Sequence, residues 1–382
     1  MKKKIVYLLK HNAAAQFIYK VFFSAAFRFL GLFIKTDENL VLFLSMMGTR
    51  YNDSPRSIYE FIKSHKEYEN LHCVWAFEHP EEYPEIESVK IDTPKFFILA
   101  LKAKYWIAST HFERGLKFKK KATRYLYTCH GTAIKLCGND CPGRKDFDYS
   151  NIDIITICSE FDEMVMLRSF KARAGSFFRC GRPCNDELWH VTDSEKLQMR
   201  AKLGIPDDKK VILYAPTWRD SVNAGATYSI KPPINFEKWE EVLGDKYVVL
   251  FRAHQITNEI LGVEFNDFVR DCSDYLEVND LLMATDILIS DYSAILTDYA
   301  ILERPILCFA YDYDDYLINR GTYFDLNEKY PNRICKTEDE LLNRIITIDF
   351  EEEKKNTIRF KNEFDQFGGN ATELCVKKLF GH

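Results

Sequence analysis

The stretch DILISDYSAILTDYAILERPILCF, residues 286–309, decides the fold, because strand, loop, helix and strand follow one another within it. Residues 286–290 read as a buried strand, 293–302 as a helix and 306–309 as the next strand, with Pro305 stopping the helix. Such a unit puts the loop after its first strand at the carboxyl edge of a parallel sheet, where open α/β folds bind ligands. The helix amino end offers unpaired N–H groups to an anion there, and Ser293 is a suitable N-cap. A solvated turn at Asp291 and Tyr292, with Ser293 only capping the helix, fits the spacing equally well.

Working outward, the same alternation recurs. Residues 39–44, 72–77, 105–109, 125–129 and 152–158 read as strands, with helices at 54–66, 93–103 and 160–170. The KFKKK run at 117–121 reads as a solvated connection, and 181–185 has too little propensity for either element. A second set follows, with strands at 211–215, 247–252, 286–290 and 306–309, and the mixed-charge residues 351–361 as a solvated helix. Alternation of this kind predicts parallel α/β sheets. The expected organisation is an amino-terminal segment 1–36, an α/β domain over 37–190 and another over 191–382, facing each other across a cleft.

The bulk numbers fit. With 382 residues, 46% of them apolar and 14% aromatic, the chain can bury two cores. The 52 basic and 57 acidic residues leave a net charge of −5, which gives nucleic acid no footprint. Eleven cysteines without extracellular spacing, and no cleavable secretory signal, indicate a reducing cytoplasm.

The amino-terminal segment is different. Seven cations, from Lys2 to Lys35, precede the first acidic residue, Asp37. At 100° per residue Lys10, Gln16, Lys20, Ser24, Arg28, Gly31 and Lys35 share one face, and Phe17, Ile18, Val21, Phe22, Ala25, Phe29, Leu32 and Phe33 fill the rest. A spanning helix needs roughly 20 uninterrupted apolar residues, and Lys20 and Arg28 interrupt this one. The segment therefore reads as an amphipathic helix lying on a membrane surface, the alternative being a helix docked on the protein's own core.

Two strand ends carry chemistry. His130 follows a strand directly and precedes Gly131 and Thr132, so it is placed to take a proton from an alcohol near neutral pH; a hydrogen-bonded structural histidine fits as well. Arg252 and His254 follow a strand of the second set, and a cation beside an imidazole suits a phosphate, although an isolated Arg more often makes a structural salt bridge. Cys129, Cys137 and Cys141 lack the second cluster that a zinc site needs. Asp312, Asp314 and Asp315 read as a loop surface.

Six ordered motifs go beyond periodicity: YLYTCHGTAIKLCGND at 125–140, SEF at 159–161, GRPCND at 181–186, YAPTWRD at 214–220, FRAHQ at 251–255 and SDYSAILTDYA at 290–300, followed by Arg304-Pro305 and by RGTYFDL at 320–326. Together they resemble the CDP-glycerol glycerophosphotransferase family of teichoic acid synthesis. The resemblance implies a GT-B-like pair of Rossmann-type domains that moves glycerol phosphate from CDP-glycerol to a hydroxyl of a lipid-linked saccharide or polymer, releasing CMP at the cytoplasmic face of a bacterial membrane. It places the catalytic groups at His130, Arg252 and His254, and substrate contacts at Gly131, Thr132, Lys135, Asp140, Thr217, Arg219, Ser290, Ser293, Asp298 and Arg320. Asp298 is a candidate for the cytidine ribose, a helix-surface role being the alternative.

No bound metal or redox cofactor is implied, though Mg²⁺ accompanying the donor phosphates is allowed, as is a homo-oligomer. The chain departs from the family pattern at Cys129, Ala133, Ile134, Cys184, Gln255, Ala294 and in FGG at 367–369, which bears on the acceptor and on the polyol. CDP-ribitol as donor, a GT-B glycosyltransferase using a nucleotide sugar, and an inactive membrane-bound scaffold of the same fold are the competing readings.

Overall fold

Strands buried on both faces must be apolar at every position, and the chain satisfies this twice. The structure is a computed structural model that describes residues 12–217, 229–253, 259–260 and 262–381. In the first unit β1 (Asp37–Leu44), β2 (His72–Phe77), β3 (Ser88–Lys90), β4 (Ala103–Ala108), β5 (Arg124–Tyr127), β6 (Ile154–Ile157) and β7 (Phe177–Arg179) form a parallel sheet in the order β3-β2-β1-β4-β5-β6-β7. Alternate residues serve opposite cores: Leu40, Leu42, Trp106 and Tyr125 on one face, Val41, Phe43, Ile107 and Leu126 on the other.

The second unit holds β8 (Lys210–Tyr214), β10 (Tyr247–Phe251), β12 (Val269–Asp271), β13 (Ile287–Ser290) and β14 (Ile306–Cys308), in the parallel order β12-β10-β8-β13-β14. A separate pair joins β9 (Ser229–Ile230) to β11 (Glu259–Ile260). Val211, Leu213 and Leu288 face one core; Ile212, Tyr214 and Ile289 face the other. Two such sheets are the parallel α/β sheets that the alternation predicted, in the GT-B-like arrangement that the family resemblance implied.

The units are joined through backbone as well as side chains. Leu136 N–H donates to Gly321 O (3.1 Å) and Tyr323 N–H to Ile134 O (3.0 Å), so the segment after β5 pairs with the RGTYFDL segment of the second unit. Ile134 is buried inside the second unit's core. Arg182 donates to Asp298 Oδ1 (2.6 Å) and Asp53 Oδ1 (3.3 Å), and Asn185 Nδ2 donates to Asp298 Oδ1 (2.7 Å).

The GRPCND segment is therefore a seam. Gly181 has φ of 84°, and a Cβ there would stand 2.4 Å from Phe367 O, so the carboxyl-terminal chain can pass close by. Asp186 then accepts the Ala371 and Thr372 N–H groups (2.8 and 2.7 Å) and starts the helix Ala371–Phe380. That last helix crosses back to pack Cys375, Val376 and Leu379 against the first sheet.

Two connections expected in solvent are docked. Phe118, in the KFKKK run, is fully buried, Lys119 pairs with Asp153 (2.9 Å) and Lys120 donates to Ile34 O (2.6 Å). The helix Phe350–Phe364 buries Phe360 and Phe364 while its charged side stays wet.

The helix Ala13–Gly31 shows the reverse of ordinary packing. Its polar stripe faces the protein: Ser24 Oγ accepts Lys117 N–H (3.0 Å), Lys20 pairs with Asp146 (3.5 Å), and Gly31 lies against Leu101 and Lys120. Phe23 and Phe27 share that contact, Phe27 stacking on Phe97 with ring centroids 4.3 Å apart. Phe17, Ile18, Phe22, Phe29 and, just beyond, Leu32 and Phe33 face outward, between 64% and 78% exposed. Among the described residues no helix is long and apolar enough to cross a membrane.

Candidate active site

Both sheets reverse their strand order once, β1 against β4 in the first and β8 against β13 in the second, and ligands of open α/β sheets bind outside the carboxyl ends of strands at such points. The loops there come from 45–52 and 109–111 in the first unit, and from 215–217 and 291–294 in the second. His130, after β5, stands beside the first pair.

His130 is exposed, and its ring is oriented by backbone. Its Nδ1 lies 3.0 Å from Ser109 O. A carbonyl only accepts, so Nδ1 carries the hydrogen and Nε2 keeps its lone pair. Sequence reasoning missed Ser109; its signal was its place at the end of β4. Cys129 (φ 55°) and Gly131 (φ 145°) turn the chain sharply on either side of the histidine. A Cβ at Gly131 would stand 2.7 Å from the Cβ of Ala294, so the loop carrying His130 rests directly on the second unit's 291–294 loop.

That second loop differs from expectation. The helix spans Ile295–Ala300 with Ala294, not Ser293, at its N-cap. Ser293 Oγ instead accepts Ile295 N–H at 3.3 Å, and the chain leaves the helix early through a left-handed Glu303 (φ 55°). Asp291, which is buried, orders the site: its Oδ1 accepts the N–H of Thr217 (2.9 Å) and of Tyr292 (2.7 Å), tying the loop after β8 to the loop after β13. Ser290 is fully buried and its hydroxyl donates to Ala215 O (2.6 Å), so it braces the two strands. Thr217 is buried beside it.

Arg252, also buried, donates from Nη1 to Cys272 O (3.0 Å) and Tyr275 O (2.6 Å). Burial, and next the charge of Arg50, push its pKa down. Among the described residues it has no carboxylate partner. His254 and Arg219 lie outside the described residues.

The remaining candidates sit at the seam. Thr132 donates to Asp162 Oδ2 (3.5 Å), whose pKa is pushed up to about 6 by burial against the opposing bond from Cys158 N–H. Lys135 forms an antiparallel bridge with Thr322. Asp140 accepts from Ser169 (2.6 Å), Tyr323 (3.2 Å) and Arg168 (3.0 Å). Arg320 has an enclosed Nε with no hydrogen-bond partner. Asp298, expected near the ribose or on a helix surface, gives its Oδ1 to Arg182 and Asn185. No group of three or more metal-ligating side chains occurs among the described residues.

The family described as CDP-Glycerol:Poly(glycerophosphate) glycerophosphotransferase matches residues 26–381. A teichoic acid poly(glycerol phosphate) polymerase of Bacillus spizizenii is 29% identical, with 100% of each chain covered. A teichoic acid glycerol-phosphate transferase of Staphylococcus aureus is 31% identical over 82% of this chain and 85% of its own. A structure of the wall teichoic acid polymerase TagF, a variant soaked with CDPG, superposes with TM-score 0.79 and 28% identity, covering 91% of this chain and 89% of that one.

The contact of Gly131 with Ala294 makes a direct prediction. Gly131→Ala brings a methyl group into Ala294 at a backbone angle that alanine rarely adopts, and should lower the thermal midpoint by several degrees, a loss of roughly 1–3 kcal/mol. Adding Ala294→Gly removes the collision but leaves the backbone strain, so it should restore part of the loss. Additive loss in the double variant would show that the two loops do not touch.

Proposed function

The chain belongs to the CDP-Glycerol:Poly(glycerophosphate) glycerophosphotransferase family, and from that premise we propose how its two facing loops carry out the transfer. The protein is a CDP-glycerol glycerophosphotransferase of teichoic acid synthesis. The observation that carries the mechanism is the join between His130 and the donor-side loop: the ring is fixed by Ser109 O, and the next residue rests on Ala294.

In this reading the unit over 37–190 receives the acceptor and the unit over 191–382 holds CDP-glycerol. Nε2 of His130 takes the proton of the acceptor hydroxyl. The hydroxyl oxygen forms a bond to the distal phosphorus as the bond to CMP breaks, and CMP leaves with the electron pair. Arg252 and the N–H groups of Ser293 and Ala294 offset the charge on the phosphate oxygens. The short helix contributes little dipole, so the cation matters more. His254 and Arg219 join the donor side on the strength of the FRAHQ and YAPTWRD motifs. Gly131 permits close approach of the substrate, and Thr132, Lys135, Asp140 and Asp298 hold the loops that surround it.

His130→Ala should bind CDP-glycerol nearly as the wild type does while losing roughly 100-fold or more in CMP release, because a general base acts only in the transition state. Wild-type turnover by this variant at saturating acceptor would remove His130 from the chemistry. Running the assay with CDP-glycerol, CDP-ribitol and a UDP-sugar separates the donors.

The acceptor is a lipid-linked saccharide or polymer, reached from a membrane surface. An apolar helix face turned away from the protein, with the exposed Arg28 on the same helix, supports this reading. Replacing Phe17, Phe22, Phe29 and Phe33 with serine spares Phe23 and Phe27, which pack on the core. Each buried aromatic contributes about 1.5–3 kcal/mol, so the variant should detach from anionic vesicles while staying folded. Equal sedimentation of both proteins with vesicles would assign the helix to protein packing alone.

A further inference from the structure

The loop after β1 lies at the switch point of the first sheet and holds an unusual backbone. Met46 (φ 43°), Met47 (60°), Gly48 (91°) and Asp53 (61°) are all left-handed, and only one of them is glycine. Such residues persist where their surroundings over-determine them. Here Met46 N–H donates to Ser109 Oγ (3.3 Å), Met47 N–H to Thr110 Oγ1 (3.0 Å), Arg114 Nη1 to Met47 O (3.1 Å) and Ser45 Oγ to Asn52 Oδ1 (2.7 Å). Ser109 is the residue that orients His130, so this loop and the base share one anchor.

What the fixed loop presents is Arg50. Its side chain is half-buried, its Nη1 is enclosed without a hydrogen-bond partner, and it makes no ion pair among the described residues. A guanidinium cannot shed its proton, so an enclosed N–H without an acceptor is a standing cost until an anion arrives.

Arg252 approaches from the other unit. Its carbonyl partners, Cys272 and Tyr275, lie on the segment that leads to Glu277, and Glu277 pairs with Arg56 in the helix that Arg50's loop enters. The helix that Arg50's loop enters is thus held against the segment that carries Arg252's carbonyl partners, and Arg50's charge adds to burial in lowering the Arg252 pKa. Two guanidinium groups that make no ion pair among the described residues, with only Asp274 acting on Arg252 from farther off, fit a ligand with several negative oxygens, and arginine forks match phosphate.

We propose that Arg50 is a phosphate-binding residue of the transfer site, supplied by the acceptor-side unit, which with Arg252 clamps the distal phosphate of the donor. The assignment rests on the donor reading above. The phosphate in transit is the one that must meet the acceptor oxygen on His130's side, whereas the proximal phosphate stays with CMP on the second unit. The loop that carries Arg50 is anchored through Met46 on the same Ser109 that orients His130, which puts Arg50 on the distal group's side.

The test is calorimetry with cytidine, CMP, CDP and CDP-glycerol on the full chain, together with turnover, for wild type, Arg50→Ala, Arg50→Lys and Arg252→Ala. Arg50→Ala should bind CMP as wild type does, which also shows that it is folded. It should bind CDP and CDP-glycerol on the order of 10-fold more weakly and turn over roughly 100-fold more slowly, as expected for loss of one preorganised donor to transition-state charge. Arg50→Lys should recover part of both, because lysine returns the charge without the fork.

Wild-type CDP affinity and turnover in Arg50→Ala, with CDP binding lost in Arg252→Ala, overturns the Arg50 assignment and leaves the donor reading standing. Equal losses for CMP and CDP, or a raised acceptor KM with CDP affinity intact, overturns it too. A wild-type protein that binds CDP no better than cytidine overturns both.

Discussion

The cleft depends on the backbone of one unit meeting the methyl group of the other with no room for another carbon between them. Gly131 touches Ala294 at a distance where one added carbon collides. Because His130 is the residue before that contact, any displacement of one unit from the other moves it relative to the 291–294 loop. Effective molarity in a transfer reaction is lost over such small displacements, about 100-fold for 1 Å. The seam resists them through the backbone pairing of 134–136 with 321–323 and through Arg182, held between Asp53 and Asp298.

The seam explains why several motifs occur where they do. The serine of SEF accepts Asp162 N–H and caps its helix, while the phenylalanine packs on Phe324 and Phe364. GRPCND supplies a close chain crossing, an ion-pair clamp and the cap of the last helix. In SDYSA, Ser290 and Asp291 brace strands and loops, and Ser293 Oγ accepts the Ile295 N–H at the start of the helix. Much of the motif inventory therefore builds the walls of the site, and the chemistry falls to fewer groups.

The sheets were legible because doubly buried strands have one apolar signature, and the expected strands fall within a few residues of β1, β2, β4, β5, β6, β8, β10, β13 and β14. The short edge strands β3, β7 and β12 were not, since three residues carry no period. Ser293 was read as the cap of a helix over 293–302; the helix is shorter, Ile295–Ala300, and Ser293 Oγ accepts the Ile295 N–H at its start, so local spacing found the capping side chain but not the bounds. Asp298 was read as a ribose ligand or a surface residue, because its partner Arg182 is more than a hundred residues away in sequence. The amino-terminal helix was correctly placed as a helix. Which side faces the protein could not be read, because burying a polar stripe through Ser24 and Lys20 runs against the usual rule.

The central claim is that the donor's phosphates lie between the 291–294 loop and Arg252, with His130 facing the distal phosphorus. A crystal structure of the wild-type chain soaked with CDP tests it most directly. The account predicts phosphate oxygens within hydrogen-bond distance of N–H groups near Ser293 and of Arg252, and His130 Nε2 turned toward the terminal phosphate. Phosphates bound elsewhere in the cleft, or His130 Nε2 turned away from them, would contradict it.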